Sequence, residues 1–216
     1  MTAFPQPLTG IAAPLHVDRL ADNPNHVGGL ADNVDTDAVI PSREMRSTGR
    51  TGLADGLFAP WRYSDADART PDPDFVLNRP EYCNATILVA GSNFGCGSSR
   101  EHAVWALAEY GFRAVIAESF APIFRGNCIR NFVLPVALPR EVLESIAGQV
   151  VEIDLAAQEV RCRGEVHPFE IDPEAKRMLA EGLDAIDLTL TQGAAIDAWT
   201  GADRKARPWV YLERTQ

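Results

Sequence analysis

Cysteine is scarce and scattered in this chain of 216 residues: Cys83, Cys96, Cys128 and Cys162 stand far apart, and no C-x-x-C pair occurs. The paired thiols that usually begin a zinc or iron–sulfur site are therefore missing. MTAFPQPLTG has no basic segment followed by an apolar one, so no secretory signal and no disulfide framework are expected, and the thiols read as free. A run of about twenty apolar residues is absent too, which argues against a membrane span. Positive charge is in deficit. The 20 Lys and Arg against 30 Asp and Glu leave a formal net charge of -10, which disfavours nucleic acid and anionic membranes as partners. There is no internal repeat of domain scale and no low-complexity tract. What remains is the expectation of a cytoplasmic globular protein, long enough for one compact domain with its own core.

Against that background one stretch is rich in signals: Ala85 to Gly111, ATILVAGSNFGCGSSREHAVWALAEYG. Thr86 to Val89 form a short apolar run suited to a buried parallel strand. Ser98 followed by Glu101 matches a capping box, Ala103, Trp105, Ala106 and Leu107 continue a helix, and Gly111 is a natural stop. A helix N-terminus offers unpaired N–H groups and partial positive charge, and Arg100 adds a planar fork for a carboxylate. The pattern suits a small anion, although an ordinary strand–turn–helix would need the same glycines and serine. A dinucleotide fingerprint shares Gly95 and Gly97, with Glu118 about twenty residues on, but Arg100 stands where its third glycine belongs. A hydrolase elbow lacks its G-x-S-x-G, and a phosphate loop lacks its Gly-Lys-Ser/Thr. Cys96 is either a plain thiol or one acidified by the helix terminus.

Periodicity outlines the rest. Residues 1–30 read as loop or extended segment, Asp35–Pro41 as a short strand, and 46–82 as loops pinned by Phe58, Trp61, Tyr63 and Phe75. Then come strand 85–90, helix 99–110, strand 113–117, a helical piece at 121–126, strand 132–138 and helix 140–147. A hairpin over 150–155 and 159–163 has 166–171 beside it. Residues 172–216 form a helical C-terminal segment, with helices over 172–181, stopped by Gly182, and 191–199. Short β-α-β crossovers imply parallel, right-handed pairing.

GSNFGCGSSREHA, together with Asn33-Val34-Asp35-Thr36-Asp37-Ala38-Val39-Ile40-Pro41, resembles the small subunits of 3-isopropylmalate dehydratases, the swivelling domain of the aconitase superfamily. The similarity runs over nearly the whole chain, through GIAAPL, RTGLADGLFAPWRY, PDPDFVLNRPEY, ESFAPIFRGNCIRNFVLPV and GLDAIDLTLTQGAAIDAW. It implies a single α/β domain over 1–216, a swivelling β/β/α domain with a central, largely parallel sheet, helices on one side and hairpins or loops on the other. It also implies half an enzyme. The hydro-lyase would act only as a heterodimer with a large subunit, whose cysteines hold a [4Fe–4S] cluster, while this chain binds no metal or cofactor. The implied reaction interconverts 2-isopropylmalate and 3-isopropylmalate through 2-isopropylmaleate, in leucine biosynthesis. Related hydro-lyases use the same serine–arginine turn on citraconate, 2-methylmalate or dimethylmalate.

By the same resemblance, Ser98 is the catalytic base and Arg100 holds a substrate carboxylate. Ser99 is a second donor or simply a cap. Asp37, with Thr36 beside it, falls in the active site of the superfamily, though a loop acid or N-cap would look alike. Arg50, between Gly49 and Gly52, falls on a second carboxylate-binding arginine, and a solvated surface arginine is the plainer reading. The loop from Pro41 to Arg50 would meet the alkyl group, with Ser42, Met45 and Thr48 as candidate contacts. His102 reads as a structural hydrogen-bonder, and His16, His26 and His167 lie apart from any metal spacing. Arg125 and Arg130 line either the site or a subunit interface, and Trp61, Trp105, Trp199 and Trp209 are packing or interface anchors. Residues 16–34 are longer than the family link. Their near-repeats Leu20–Asn23 and Leu30–Asn33 suggest a local duplication.

Overall fold

The computed structural model describes residues 3–16, 29–45, 49–65 and 67–211. Its strands are β1 (Leu8–Pro14), β2 (Tyr63–Asp65), β3 (Thr70–Pro71), β4 (Ile87–Val89), β5 (Ala114–Ala117), β6 (Leu134–Ala137), β7 (Val150–Asp154), β8 (Glu159–Cys162) and β9 (Glu165–Pro168). The helices are α1 (Thr36–Val39), α2 (Ala59–Arg62), α3 (His102–Tyr110), α4 (Pro122–Arg130), α5 (Arg140–Ile146), α6 (Pro173–Glu181), α7 (Ala185–Leu190) and α8 (Gly193–Ala206). Seven strands make one sheet in the order β6-β5-β4-β1-β7-β8-β9, and β2 pairs with β3 separately.

The pairings β1–β4, β4–β5 and β5–β6 are parallel. β7 runs antiparallel to β1, and β8 and β9 follow by hairpins. Sequence pattern explains the division. β4 and β5 are buried along their whole length, as strands covered on both faces must be. In β7 only Val151 and Ile153 are buried, the alternation of a strand with one wet face. Side chains of β4 and β5 alternate between two cores. Leu88, Val115 and Ala117 face one core with Ala103 and Leu107 of α3 and Phe124 and Cys128 of α4. Ile87, Val89, Ala114 and Ile116 face the other, with Leu143 and Ile146 of α5 and Leu179 of α6.

Several local expectations need correction. Within the segment expected as loop or extended, residues 8–14 are extended as β1, which lies between β4 and β7 near the middle of the sheet. Its Gly, Pro and two Ala carry little strand propensity, so the paired neighbours fix it. Asp35–Pro41 is not a strand. The Asp35 carboxylate accepts the Ala38 N–H at 2.6 Å and caps the single turn α1. A helix unforeseen in the sequence, α7, starts in a capping box formed by Asp184 and Asp187, and α8 runs on to Ala206 through Gly201. Within the C-terminal segment, α6 buries Ala175, Met178 and Leu179, whereas α7 and α8 bury none of their residues.

The near-repeat Leu20–Asn23 lies outside the described residues. Its counterpart is firmly held: Ala31 N–H donates to Leu15 O and Asn33 N–H to Ser92 O, both at 2.8 Å. Asp32 Oδ1 accepts the Ser92 N–H at 2.6 Å and the Ser92 hydroxyl at 3.0 Å, and also pairs with Arg140. No described helix is long and apolar enough to cross a membrane.

Candidate active site

Three segments meet beyond the end of β4. The first is the 94–100 turn, the second the approach to α1, and the third the first turn of α4. Gly95 N–H donates to Val34 O at 2.8 Å and Thr36 N–H to Cys96 O at 3.0 Å, so the first two run side by side. Phe94 exchanges hydrogen bonds with the third, to Ser119 O at 3.0 Å and from Ala121 N–H at 2.9 Å. Gly95 is required here on two counts. Its φ is +77°, and a Cβ would stand 2.1 Å from Phe124 Cγ.

The three segments enclose an open pocket of about 210 Å³. Thr36, Gly97, Ser98, Ser99 and Arg100 form one wall, and Asn127 adds an amide. Ala121, Pro122, Ile123 and Phe124 form an apolar wall opposite. Ala121 is the N-cap of α4 and Pro122 its first residue, so Ile123 and Phe124 carry the N–H groups of the first turn that have no partner within the helix. Hydroxyl, amide and guanidinium groups thus share the pocket with an apolar surface.

Ser98 and Ser99 are exposed there. The Ser98 carbonyl is held twice, by the Thr36 hydroxyl at 2.9 Å and by the Arg100 N–H at 2.8 Å. The expected Ser98–Glu101 capping box does not form. α3 begins only at His102, without a side-chain cap, and Glu101 Oε1 instead accepts Asn131 Nδ2 at 2.7 Å. The Ser98 hydroxyl consequently engages none of the described residues. Asp37 pairs with Arg100 and fixes the direction of its guanidinium. The Arg100 side chain is 27% exposed, dry enough for a directed ion pair yet open to a ligand.

Other expected residues lie elsewhere. The Arg50 guanidinium stacks 5.2 Å from the centre of the Trp105 ring, outside the pocket lining. Ser42 is exposed and Met45 packs on the core; neither lines the pocket. Thr48 lies outside the described residues. His102 packs against Trp105 with ring centres 4.6 Å apart and planes tilted by 54°. Arg130 donates to Asn127 Oδ1 at 2.9 Å, which places it behind the pocket. Asn127 itself was not legible as a site residue. It is 4% exposed, a buried polar group on the inner face of α4, and only the tertiary arrangement brings it to the pocket.

Burial, with Asp35 nearby, pushes the Cys96 thiol up, so the acidified alternative does not hold. Cys128 is pushed up further by full burial. Among the described residues no group of three or more His, Cys, Asp or Glu could hold a metal ion. The four cysteines are free: Cys83 is exposed, Cys96 half-buried, and Cys128 and Cys162 buried. Glu118, the acid a dinucleotide ribose would need, is engaged by Arg140 at 3.0 Å.

Comparison with known proteins adds a second line. Residues 26–141 match the family described as the aconitase C-terminal domain. A 3-isopropylmalate dehydratase small subunit from Cupriavidus necator is 50% identical over 213 residues, covering 94% of this chain and 96% of that protein. One from Rhodospirillum centenum is 47% identical over 211 residues, with 94% and 96% covered. A crystal structure of 3-isopropylmalate dehydratase from Methanocaldococcus jannaschii superposes with a TM-score of 0.64 at 30% identity. It spans 90% of this chain and 99% of that one.

Proposed function

Since the chain belongs to the family of 3-isopropylmalate dehydratase small subunits, within the aconitase fold, we propose that it supplies the proton acceptor and the carboxylate clamp of that dehydratase. The reaction is the interconversion of 2-isopropylmalate and 3-isopropylmalate through 2-isopropylmaleate, in leucine biosynthesis. The observation that carries this reading is the unspent Ser98 hydroxyl beside an oriented Arg100, facing an apolar wall.

Dehydration of a 2-alkylmalate breaks a C–H bond beside a carboxylate, forms the alkene from that electron pair, and expels hydroxide from the neighbouring carbon. Arg100 grips a substrate carboxylate through two parallel hydrogen bonds, in the direction Asp37 sets. Ser98, as its alkoxide, takes the proton and becomes a neutral hydroxyl; rehydration returns it to the other carbon. An alkoxide is costly, and the N–H groups at the start of α4 and the Arg100 charge lower that cost. Ser99 donates a further hydrogen bond. Thr36 acts by holding the Ser98 carbonyl. Ala121, Pro122 and Ile123 receive the isopropyl group.

Departure of the hydroxide calls for a Lewis acid, and the aconitase resemblance assigns this to a [4Fe–4S] cluster on a large subunit. The small subunit therefore works as a heterodimer, in the cytoplasm, on a small dicarboxylate. Co-expression with the large subunit and assays on 2-isopropylmalate, 2-methylmalate and dimethylmalate test the assignment. Turnover of 2-isopropylmalate is expected to exceed the others by about 10-fold or more, from the burial of the extra methyl groups. A preference for 2-methylmalate would reassign the chain to a related hydro-lyase.

A further inference from the structure

A single carboxylate fastens the loop behind Arg50 to α3. Glu109 Oε1 accepts the Gly52 N–H at 2.7 Å, while its Oε2 accepts those of Leu53 at 2.6 Å and Ala54 at 3.0 Å. Leu53 is buried against the same helix core. One turn earlier on that face of α3 lies Trp105, whose ring carries the Arg50 guanidinium. The ring is itself immobilised. Its Nε1 donates to Asn131 Oδ1 at 2.9 Å, and Asn131 Nδ2 donates to Glu101.

The segment 50–54 thus lies along the helix that leaves the serine turn. Arg50 itself rests over Trp105, outside the pocket lining. Three successive N–H groups converging on one anion form a charge-assisted cradle that a neutral side chain would fill poorly. Burial pushes the Glu109 carboxyl up, but the three N–H donors together outweigh it and hold it below its ordinary value.

Building on the proposed dehydratase activity and on the resemblance, which makes Arg50 a second ligand for substrate carboxylate, we propose that Glu109 is a positioning residue for that reaction. Its carboxylate ties backbone 52–54 to α3 and so sets the reach of Arg50 toward substrate held at Ser98 and Arg100. The loop is anchored at its base and only the Arg50 side chain need leave Trp105. Nothing else in the mechanism uses Glu109.

Two measurements test this with Glu109→Gln, which keeps the size and removes the charge. Amide exchange on the full-length chain, without substrate, is expected to accelerate about tenfold or more at Gly52, Leu53 and Ala54, with β4 and β5 unchanged. In the assembled two-subunit enzyme, KM for 2-isopropylmalate is expected to rise roughly tenfold, with a smaller change in kcat. The loss should be absorbed in an Arg50→Ala background, where Glu109→Gln has no further effect. Unchanged exchange at the three amides would overturn the proposal. So would equal losses on both backgrounds, which a purely structural role produces. Exchange needs no substrate, so it judges the tether even if the wild-type enzyme proves inactive on 2-isopropylmalate; that outcome would count against the proposed activity alone.

Discussion

Ser98 keeps its hydroxyl because Glu101, three residues on, is occupied by Asn131 and α3 starts late. Ser98→Ala is accordingly expected to lower turnover of the assembled enzyme by about 10²–10⁴-fold, while gel filtration shows the complex intact. Rates near wild type would remove Ser98 from its role. Arg100→Lys keeps the charge but loses the fork that Asp37 directs. KM for the dicarboxylate should rise about tenfold in steady-state assays, and wild-type kinetics would mean that charge alone suffices. Both residues were legible in SSREH. Asn127 was not, because a buried asparagine looks the same in sequence whether it faces a pocket or a neighbouring helix.

Between elements, the site depends on how the 94–100 turn seats against α4. Gly95→Ala would force a Cβ into the Phe124 ring and hold an unfavourable φ, so destabilisation of about 2–4 kcal/mol is expected by chemical denaturation. A loss below ~0.5 kcal/mol would show that the turn can move aside. Asp32 is the second fastening, joining the segment after β1 to the end of β4 and to α5. Burial pushes its carboxyl up, yet the Ser92 N–H, Arg140 and the Ser92 hydroxyl together hold it below its ordinary 3.8. A lowered folded value means stability that is present above 3.8 and lost as pH falls through the folded pKa. Asp32→Asn should therefore lower Tm near neutral pH, and the gap should close in strong acid. A constant difference across that range would exclude the charge as the cause. Neither contact is legible from local pattern, since each joins residues distant along the chain.

For the whole molecule, a formal charge of -10 bears on what it does not bind, and the proposed division of labour with a large subunit on how it acts. No retardation of duplex DNA is expected in a gel at physiological salt. A clear shift would reopen a nucleic-acid role. Dehydratase activity is expected only when the large subunit is added, and turnover by this chain alone would refute the division of labour proposed above. α7 and α8 differ from the rest of the molecule, with Ile186, Leu190 and Trp199 exposed rather than packed on the sheet.

Local sequence determined those features that need only neighbours in the chain. These are the buried runs of β4 and β5, the hairpin β7–β8, the proline start and glycine stop of α6, and the glycine–serine–arginine turn itself. Pattern and propensity act over a few residues, and there they were sufficient. Tertiary structure decided the central place of β1, the helical turn at Asp35, the release of Ser98 from capping, and the company of Asn127. Each of these is set by hydrogen bonds or packing from segments remote in sequence, whose energies outweigh local preference and leave no local trace.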